Sequence, residues 1–161
     1  MSKIRLFSTG GTIAKMYDEL SGELVFDKEH IEKMLLQGRC KADIKISPLM
    51  LKDSLDMNDN DRNTISKEIK NCNENKIIIT HGTDTMVQSA KSISKIENKT
   101  IVFTGAMIPY AFKNSDALFN IAAAISAVDT LKHGVYICMN GRIFLANSVV
   151  KDKKLGLFLE I

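Results

Sequence analysis

The chain has 161 residues, of which 45% are hydrophobic and 25% charged, and its mean hydropathy is −0.04. This composition is typical of a single globular domain, and it excludes a disordered tail, a collagen-like repeat and a membrane-spanning protein. The formal net charge is +3, but acidic and basic residues are interleaved, which argues against a nucleic-acid or membrane partner. The N-terminal sequence lacks the apolar stretch of a signal peptide, and three widely spaced cysteines suit free thiols, so we expect a cytoplasmic protein.

Five short segments rich in Ile, Val and Phe predict β-strands. They cover residues 4–7, 44–46, 77–79, 101–103 and 135–139. Those at 77–79, 101–103 and 135–139 are continuous apolar runs and 4–7 is interrupted only by Arg5, as expected for parallel strands that are covered on both faces. The segment at 44–46 alternates apolar and polar residues, which places it nearer an edge of the sheet.

Segments with apolar residues at helical spacing lie between the predicted strands. They cover residues 27–36, with Asp27 as the cap and Gly38 just beyond the end, then 65–72, 86–93, and a run that starts at Ser115 or Asp116. The last of these is apolar nearly all round, so we expect it to be the most buried helix. The sequence from Gly141 onwards predicts extended or hairpin structure.

Strands that alternate with helices at this spacing predict an α/β fold. We expect one domain over residues 1–161, with an open, mostly parallel, doubly wound sheet of the Rossmann-like or flavodoxin-like kind and helices on both faces. Turns rich in glycine and hydroxyl residues follow four strands, at 8–12, 53–57, 80–85 and 104–107. Ligands bind at the carboxyl edge of such a sheet, so these turns predict a composite polar pocket.

Two threonines in these turns, Thr12 and Thr83, are candidate nucleophiles. An aliphatic hydroxyl needs an adjacent base, and Asp84, which follows Thr83, can hold a cation or orient a lysine. The neighbouring glycines let the backbone approach a ligand closely, which suits a carboxylate, a phosphate or a developing oxyanion. Spacing alone selects neither the lysine nor the choice between hydrolysis and phosphate binding.

Two of these turns carry longer motifs, TGGTIA at 9–14 and THGTDTM at 80–86. They resemble the two signature motifs of the bacterial-type L-asparaginase family. Three further segments, DSLDMN at 53–58, TGAMIP at 104–109 and SDALFN at 115–120, agree in order and spacing. The resemblance covers the larger N-terminal domain of that family, and we expect the family's smaller second domain to be absent.

The resemblance implies that two threonines face one substrate. Thr12 would attack a side-chain amide to give an acyl-enzyme, while Thr83 would act with Asp84 and a lysine. Counting on from Met139 and Asn140, the family's lysine falls at Lys151. Tyr17, in what would be the mobile loop after the first motif, is the candidate for the family's activating tyrosine.

The resemblance also implies a set of substrate-binding residues. Ser54 and Asp84 match residues that hold the α-carboxylate and the α-amino group. The backbone contacts would come from Gly11, Gly82, Thr83 and Ala106. Leu55 stands where many family members carry glutamine or serine, so we expect weaker or altered selection of the amino acid.

Three function classes therefore stay open. The first, which we favour, is an amidohydrolase that releases ammonia from L-asparagine or a related small amide. The second is a non-catalytic ligand-binding or sensor module, which Leu55 favours. The third is a flavin- or nucleotide-phosphate-binding protein, because STGGT at 8–12 resembles a phosphate loop, although the HGTDT motif at 81–85 argues against it.

The remaining polar residues suggest no cofactor. No cluster of His, Cys and Asp has the spacing of metal ligands, so we expect neither a metal nor an organic cofactor. His81 is expected to be structural and hydrogen-bonded within its own turn, whereas His30 and His133 are expected on the surface. Cys138 is expected in the core.

The apolar segment 155–161 predicts a contact between subunits. We expect a homo-oligomer, most simply a dimer, with the pocket near the contact, where solvent is partly excluded. The alternative is that this segment folds back onto its own domain.

Overall fold

The computed structural model describes residues 2–161 and contains the predicted strands, most of them longer than the apolar runs. The strands are β1 (Ile4–Gly10), β2 (Lys15–Asp18), β3 (Glu23–Phe26), β4 (Ile44–Lys52), β5 (Lys76–Thr80), β6 (Thr100–Thr104), β7 (Gly134–Met139), β8 (Arg142–Leu145), β9 (Val149–Asp152) and β10 (Leu157–Glu160). The helices are α1 (His30–Gln37), α2 (Asp59–Asn71), α3 (Met86–Ser92) and α4 (Ala117–Thr130).

Six strands form the central sheet, in the order β4-β1-β5-β6-β7-β8. The first five are parallel and β8 is antiparallel to β7, so the expected mostly parallel α/β sheet is confirmed. β4 lies at an edge, as its alternating pattern predicted. Leaving out the β2–β3 hairpin, the parallel strands follow the order 2-1-3-4-5 of doubly wound, flavodoxin-type sheets.

Two apolar layers cover the sheet. Ile77, Ile79 and Phe103 face one layer with α2 and α3. Ile78 and Val102 face the other layer with α1 and α4. Each of these buried side chains stabilises the fold by roughly 1.5–3 kcal/mol relative to exposure. The continuous apolar runs of β5 and β6 thus reflect burial on both faces.

The start of α1 differs from the prediction. Asp27 does not occupy the N-cap: the helix begins at His30 after Glu29, and the Asp27 carboxylate accepts a hydrogen bond from the Glu29 N–H at 2.9 Å. This later start turns His30 inward, where it is 1% exposed and its Nδ1 lies 2.7 Å from the Asp27 carbonyl oxygen. The expectation of a surface His30 was therefore wrong, whereas His133 is exposed.

Helix α4 has six buried residues, against three in each of the other helices, as its apolar sequence predicted. Its buried residues include Ile121, Ala124 and Val128, but Phe119 is 61% exposed. The reason is that the sheet covers only one face of the helix. Within residues 2–161 no helix is both long and apolar enough to cross a membrane.

The final segment forms the expected hairpin, from β9 and β10. Phe158 is buried in the layer that contains α2 and α3, so the segment folds back onto its own domain. Leu155, Leu157 and Ile161 stay exposed. Only part of the apolar surface expected at a subunit contact therefore remains available.

Candidate functional site

The polar turns meet at the carboxyl edge of the sheet. They follow β1, β4, β5 and β6, which are adjacent and parallel. The turns after β1 and β5 flank the switch point of the strand order, where doubly wound sheets bind ligands. The predicted composite site is therefore located where the fold favours binding.

Backbone packing brings three of the turns into direct contact. A Cβ on Gly11 would lie 2.5 Å from the Gly82 nitrogen, and a Cβ on Gly82 would lie 2.6 Å from the Ser54 Cβ. Gly11 also has a positive φ of 76°, a conformation that other residues rarely adopt. Glycine at both positions is thus required for the turns that carry Thr12, Ser54 and Thr83 to meet.

Lys151 reaches the site from β9. Its Nζ donates hydrogen bonds to the Thr83 hydroxyl at 2.8 Å and to the Asp84 carboxylate at 2.7 Å. The Lys151 side chain is 8% exposed, and a lysine so buried needs partners of this kind. The structure therefore brings together the three residues that the resemblance grouped.

Thr12 opens the short helical turn at residues 12–14, next to the glycine contact. It is half-buried, while Ile13 and Ala14 behind it belong to the core. Within the described residues the Thr12 hydroxyl has no hydrogen-bond partner. This leaves it available to a ligand.

Tyr17 is an exposed residue of the hairpin that follows the Thr12 turn. The expected loop after the first motif is the β2–β3 hairpin, in which Tyr17 pairs with Leu24. The Tyr17 side chain is 58% exposed, and its hydroxyl lies 4.0 Å from the position that a Cβ on Gly22 would take. In the described chain it makes no hydrogen bond to another predicted site residue.

The turn after β4 presents Ser54 inward and Leu55 outward. Ser54 is buried, and its carbonyl oxygen accepts a 2.8 Å hydrogen bond from the Thr85 hydroxyl. Thr85 thereby joins the turns after β4 and β5, a role that the sequence reasoning missed. Leu55 is 66% exposed beside Ser54.

A buried network supports the turn that carries Ala106. Asn120 is fully buried, and its side-chain amide donates to the Gly105 carbonyl oxygen at 2.9 Å. The Asp116 carboxylate accepts hydrogen bonds from the backbone N–H groups of Met107 and Ile108 at 3.0 Å. Asp116 and Asn120 both belong to the SDALFN segment, so that motif stabilises the turn after β6.

His81 is buried beneath the site. Its Nδ1 lies 2.7 Å from the Gly82 carbonyl oxygen, which confirms the expected hydrogen bond within the turn. Burial lowers the pKa of His81 to about 4. The ring is therefore neutral near pH 7, and a neutral ring donates this hydrogen bond from Nδ1.

The donor set of the site is made of hydroxyls, one lysine and one carboxylate. Across residues 2–161 no group of three or more His, Cys, Asp or Glu side chains could hold a metal ion. Cys138 is buried in the core, as expected, and all three cysteines have free thiols. Hydroxyls beside a lysine and a carboxylate are groups that acyl transfer can use.

Nearly the whole chain matches known proteins. The model of the asparaginase N-terminal domain matches residues 3–157. The L-asparaginase of Thermococcus kodakarensis is 30% identical over 96% of the chain, which spans 49% of that relative. A protein of Methanococcus maripaludis that is named as one subunit of a glutamyl-tRNA(Gln) amidotransferase is 32% identical over 88% of the chain and is matched over 35% of its own length.

Solved structures agree with these matches. The T. kodakarensis L-asparaginase superposes with a TM-score of 0.87 over 99% of the chain and 51% of that protein. A probable cytoplasmic L-asparaginase from Campylobacter jejuni has a TM-score of 0.81 and 31% identity, over 94% of the chain and 48% of that protein. The chain thus spans about half the length of these L-asparaginases. Sequence and structure together show that the chain belongs to the asparaginase family and corresponds to its N-terminal domain.

Proposed function

We propose that the protein is an amidohydrolase that releases ammonia from L-asparagine or a related small amino-acid amide. The observation that carries this proposal is the contact of the Lys151 Nζ with both the Thr83 hydroxyl and the Asp84 carboxylate. The lysine that donates these hydrogen bonds carries a proton, so in the proposed reaction it first loses one proton to solvent, and the neutral amine then serves as the acceptor that an alcohol nucleophile needs.

In the proposed first step, the Thr12 oxygen attacks the carbon of the substrate amide. The Thr12 proton is taken up by the Thr83–Lys151 pair, the C–N bond breaks, and the nitrogen leaves as ammonia with that proton. In the second step a water molecule, deprotonated by the same pair, attacks the acyl-enzyme. This frees the carboxylic acid and restores the Thr12 hydroxyl, so that one amide and one water give one acid and one ammonia.

The substrate would be held by its α-substituents. Asp84, whose side chain is 37% exposed, can accept hydrogen bonds from the α-ammonium group, which then competes with Lys151 for the carboxylate. We assign the α-carboxylate to Ser54, with backbone contacts from Gly11, Gly82 and Ala106. Tyr17 would take part only after a movement of its hairpin, so Tyr17→Phe should lower kcat if the hairpin closes during turnover.

A non-catalytic binding module is the second candidate. It is favoured by Leu55, which places an exposed apolar side chain beside Ser54. Such a protein would bind the amino acid without turnover. Measurement of both ligand binding and ammonia release distinguishes such a protein from a hydrolase.

The test is ammonia release from a panel of amides: L-asparagine, L-glutamine, D-asparagine and β-aspartyl amides. Glutamine belongs in the panel because one relative is named as part of a glutamyl-tRNA(Gln) amidotransferase. We expect release from L-asparagine or another L-amide and little from D-asparagine. If no compound releases ammonia and calorimetry shows that L-aspartate binds, the protein is a binding module and not a hydrolase.

Two further properties belong to the proposal. We propose that no metal or organic cofactor is needed, so prolonged chelation should leave ammonia release unchanged. We also propose a cytoplasmic location, supported by the three free thiols and by the name of the C. jejuni protein. Detection in a periplasmic or secreted fraction would contradict it.

A further inference from the structure

The β2–β3 hairpin follows the Thr12 turn directly and projects from the domain. Its tip residue Leu20 is 92% exposed, and Tyr17 and Leu24 are at least half exposed. At its base, the Asp27 N–H donates to the Ala14 carbonyl oxygen at 2.8 Å, and Phe26 packs against the core.

One ion pair joins this hairpin to the rest of the site. The Lys15 Nζ, at the first residue of β2, donates to the Asp53 carboxylate at 2.6 Å. Within residues 2–161 this is the only side-chain hydrogen bond between residues 15–26 and residues outside them. The Lys15–Asp53 ion pair is therefore the side-chain hydrogen-bonded link between the hairpin and the turn that carries Ser54.

The two carboxylate oxygens of Asp53 accept hydrogen bonds from two different segments. Its Oδ2 receives Lys15, while its Oδ1 accepts the Leu55 N–H at 3.1 Å and so caps the short helical turn Ser54–Asp56. Ser54 is the first residue of that turn. A single carboxylate thus ties the segment after Thr12 to the turn that carries Ser54.

We propose that Lys15 and Asp53 are positioning residues, whose ion pair holds the hairpin against the Ser54 turn and so sets the geometry of substrate binding. This inference rests on the proposed amidohydrolase function. The pair is partly shielded, with side chains 24% and 31% exposed, so it is screened less than a fully exposed pair. Neither side chain touches the substrate in this assignment.

The test compares Lys15→Met, Asp53→Asn and the double variant. Asn keeps one oxygen to cap Leu55 and replaces the charged oxygen that faces Lys15 by an amide NH2 group. Lys15→Arg is the conservative rescue. Lys76→Met is the matched control, because Lys76 is also paired with an aspartate and is 25% exposed, but lies at the opposite edge of the sheet.

Hydrogen exchange at residues 16–25 is the first readout, and it needs no turnover. We expect exchange to rise about fivefold in Lys15→Met and in Asp53→Asn, with no further rise in the double variant, as for an ion pair of modest strength. Lys15→Arg and Lys76→Met should exchange like the unmodified protein. Unchanged exchange in Lys15→Met, or additive effects in the double variant, would overturn the proposal.

The second readout separates binding from chemistry. KM for the amide should rise about fivefold in Lys15→Met while kcat changes less than twofold, because Ser54 binds a part of the substrate that does not react. A fall in kcat at constant KM would overturn the positioning role. If the unmodified protein releases no ammonia, the proposed hydrolase fails, and the exchange comparison still decides whether the ion pair holds the hairpin.

Discussion

Lys151 and Thr83 are 68 residues apart in the chain, yet the lysine Nζ lies 2.8 Å from the threonine hydroxyl. The contact exists because the β9–β10 hairpin is anchored by Val149 and Phe158 in the core, which fixes Lys151 above the end of β5. A buried lysine held at this distance from a hydroxyl is the arrangement that proton transfer requires.

From this contact we predict that Lys151→Met lowers kcat by about 10³-fold, because the Thr83 hydroxyl loses its proton acceptor. Ammonia release at saturating substrate measures the effect. Lys153→Met is the control, since Lys153 is exposed two residues away on the same hairpin. Equal losses in both variants, or near-normal turnover in Lys151→Met, would contradict the role of Lys151.

Substitution of Leu55 by glutamine is predicted to strengthen substrate binding. Leu55→Gln places a hydrogen-bonding group beside Ser54, at a position where the side chain is 66% exposed and can be exchanged without repacking. We expect KM for L-asparagine to fall about threefold to tenfold, the effect of one net hydrogen bond. Leu36→Gln, at an exposed residue of α1 away from the site, should leave KM unchanged. A higher KM in Leu55→Gln would show that the apolar side chain contributes to binding.

His81 predicts a pH dependence of stability. Its pKa is lowered by burial from 6.5 to about 4, so the unfolded state binds more protons between these values and the free energy of unfolding falls as pH falls. Between pH 7 and pH 5 the loss should be about 2 kcal/mol. Urea unfolding at the two pH values measures it.

In His81→Gln this part of the pH dependence should disappear, whatever the absolute stability of the variant. His133→Gln, at an exposed histidine, should keep it. The pKa of His30 is also lowered by burial, so a smaller dependence is expected to persist in His81→Gln. An unchanged slope in His81→Gln would refute the assignment.

The exposed leucines of the last hairpin predict self-association. We propose a homo-oligomer, most simply a dimer, in which Leu155 and Leu157 lie at the contact. Light scattering during gel filtration should give twice the mass of one chain, and Leu157→Asp should shift it towards the monomer. Leu36→Asp, at an exposed leucine of α1, should not. A clean monomer at micromolar concentration that still hydrolyses the amide would exclude both the dimer and a shared site.

The sheet was predictable because burial on both faces leaves a local signature. The apolar runs at 77–79 and 101–103 became the central strands, and the glycine and hydroxyl turns after them are at the same sheet edge. The position of Lys151 followed from the resemblance to a family and not from spacing. The family match is what gives this position its functional meaning.

Other features were not predictable because they depend on contacts between distant side chains. Lys15 and Asp53 are 38 residues apart, and neither stands out among many charged residues. The β2–β3 hairpin is short and largely exposed, so its strands lack the apolar runs that marked the others. Gly22, which has a φ of 73° at the turn of the hairpin, was the local signal of that turn. The inward turn of His30 came from a helix whose N-cap is Glu29, two residues later than the predicted cap at Asp27.

In the proposed hydrolysis, Thr12 carries the acyl group. Rapid quenching during turnover of L-asparagine, followed by mass spectrometry of the peptides, tests it directly. We predict an added aspartyl group on the peptide that contains Thr12, its absence in Thr12→Ala, and its loss or slow formation in folded Thr83→Val. Turnover at a near-normal rate in folded Thr12→Ala, or an acyl group found on Thr83 instead, would contradict it.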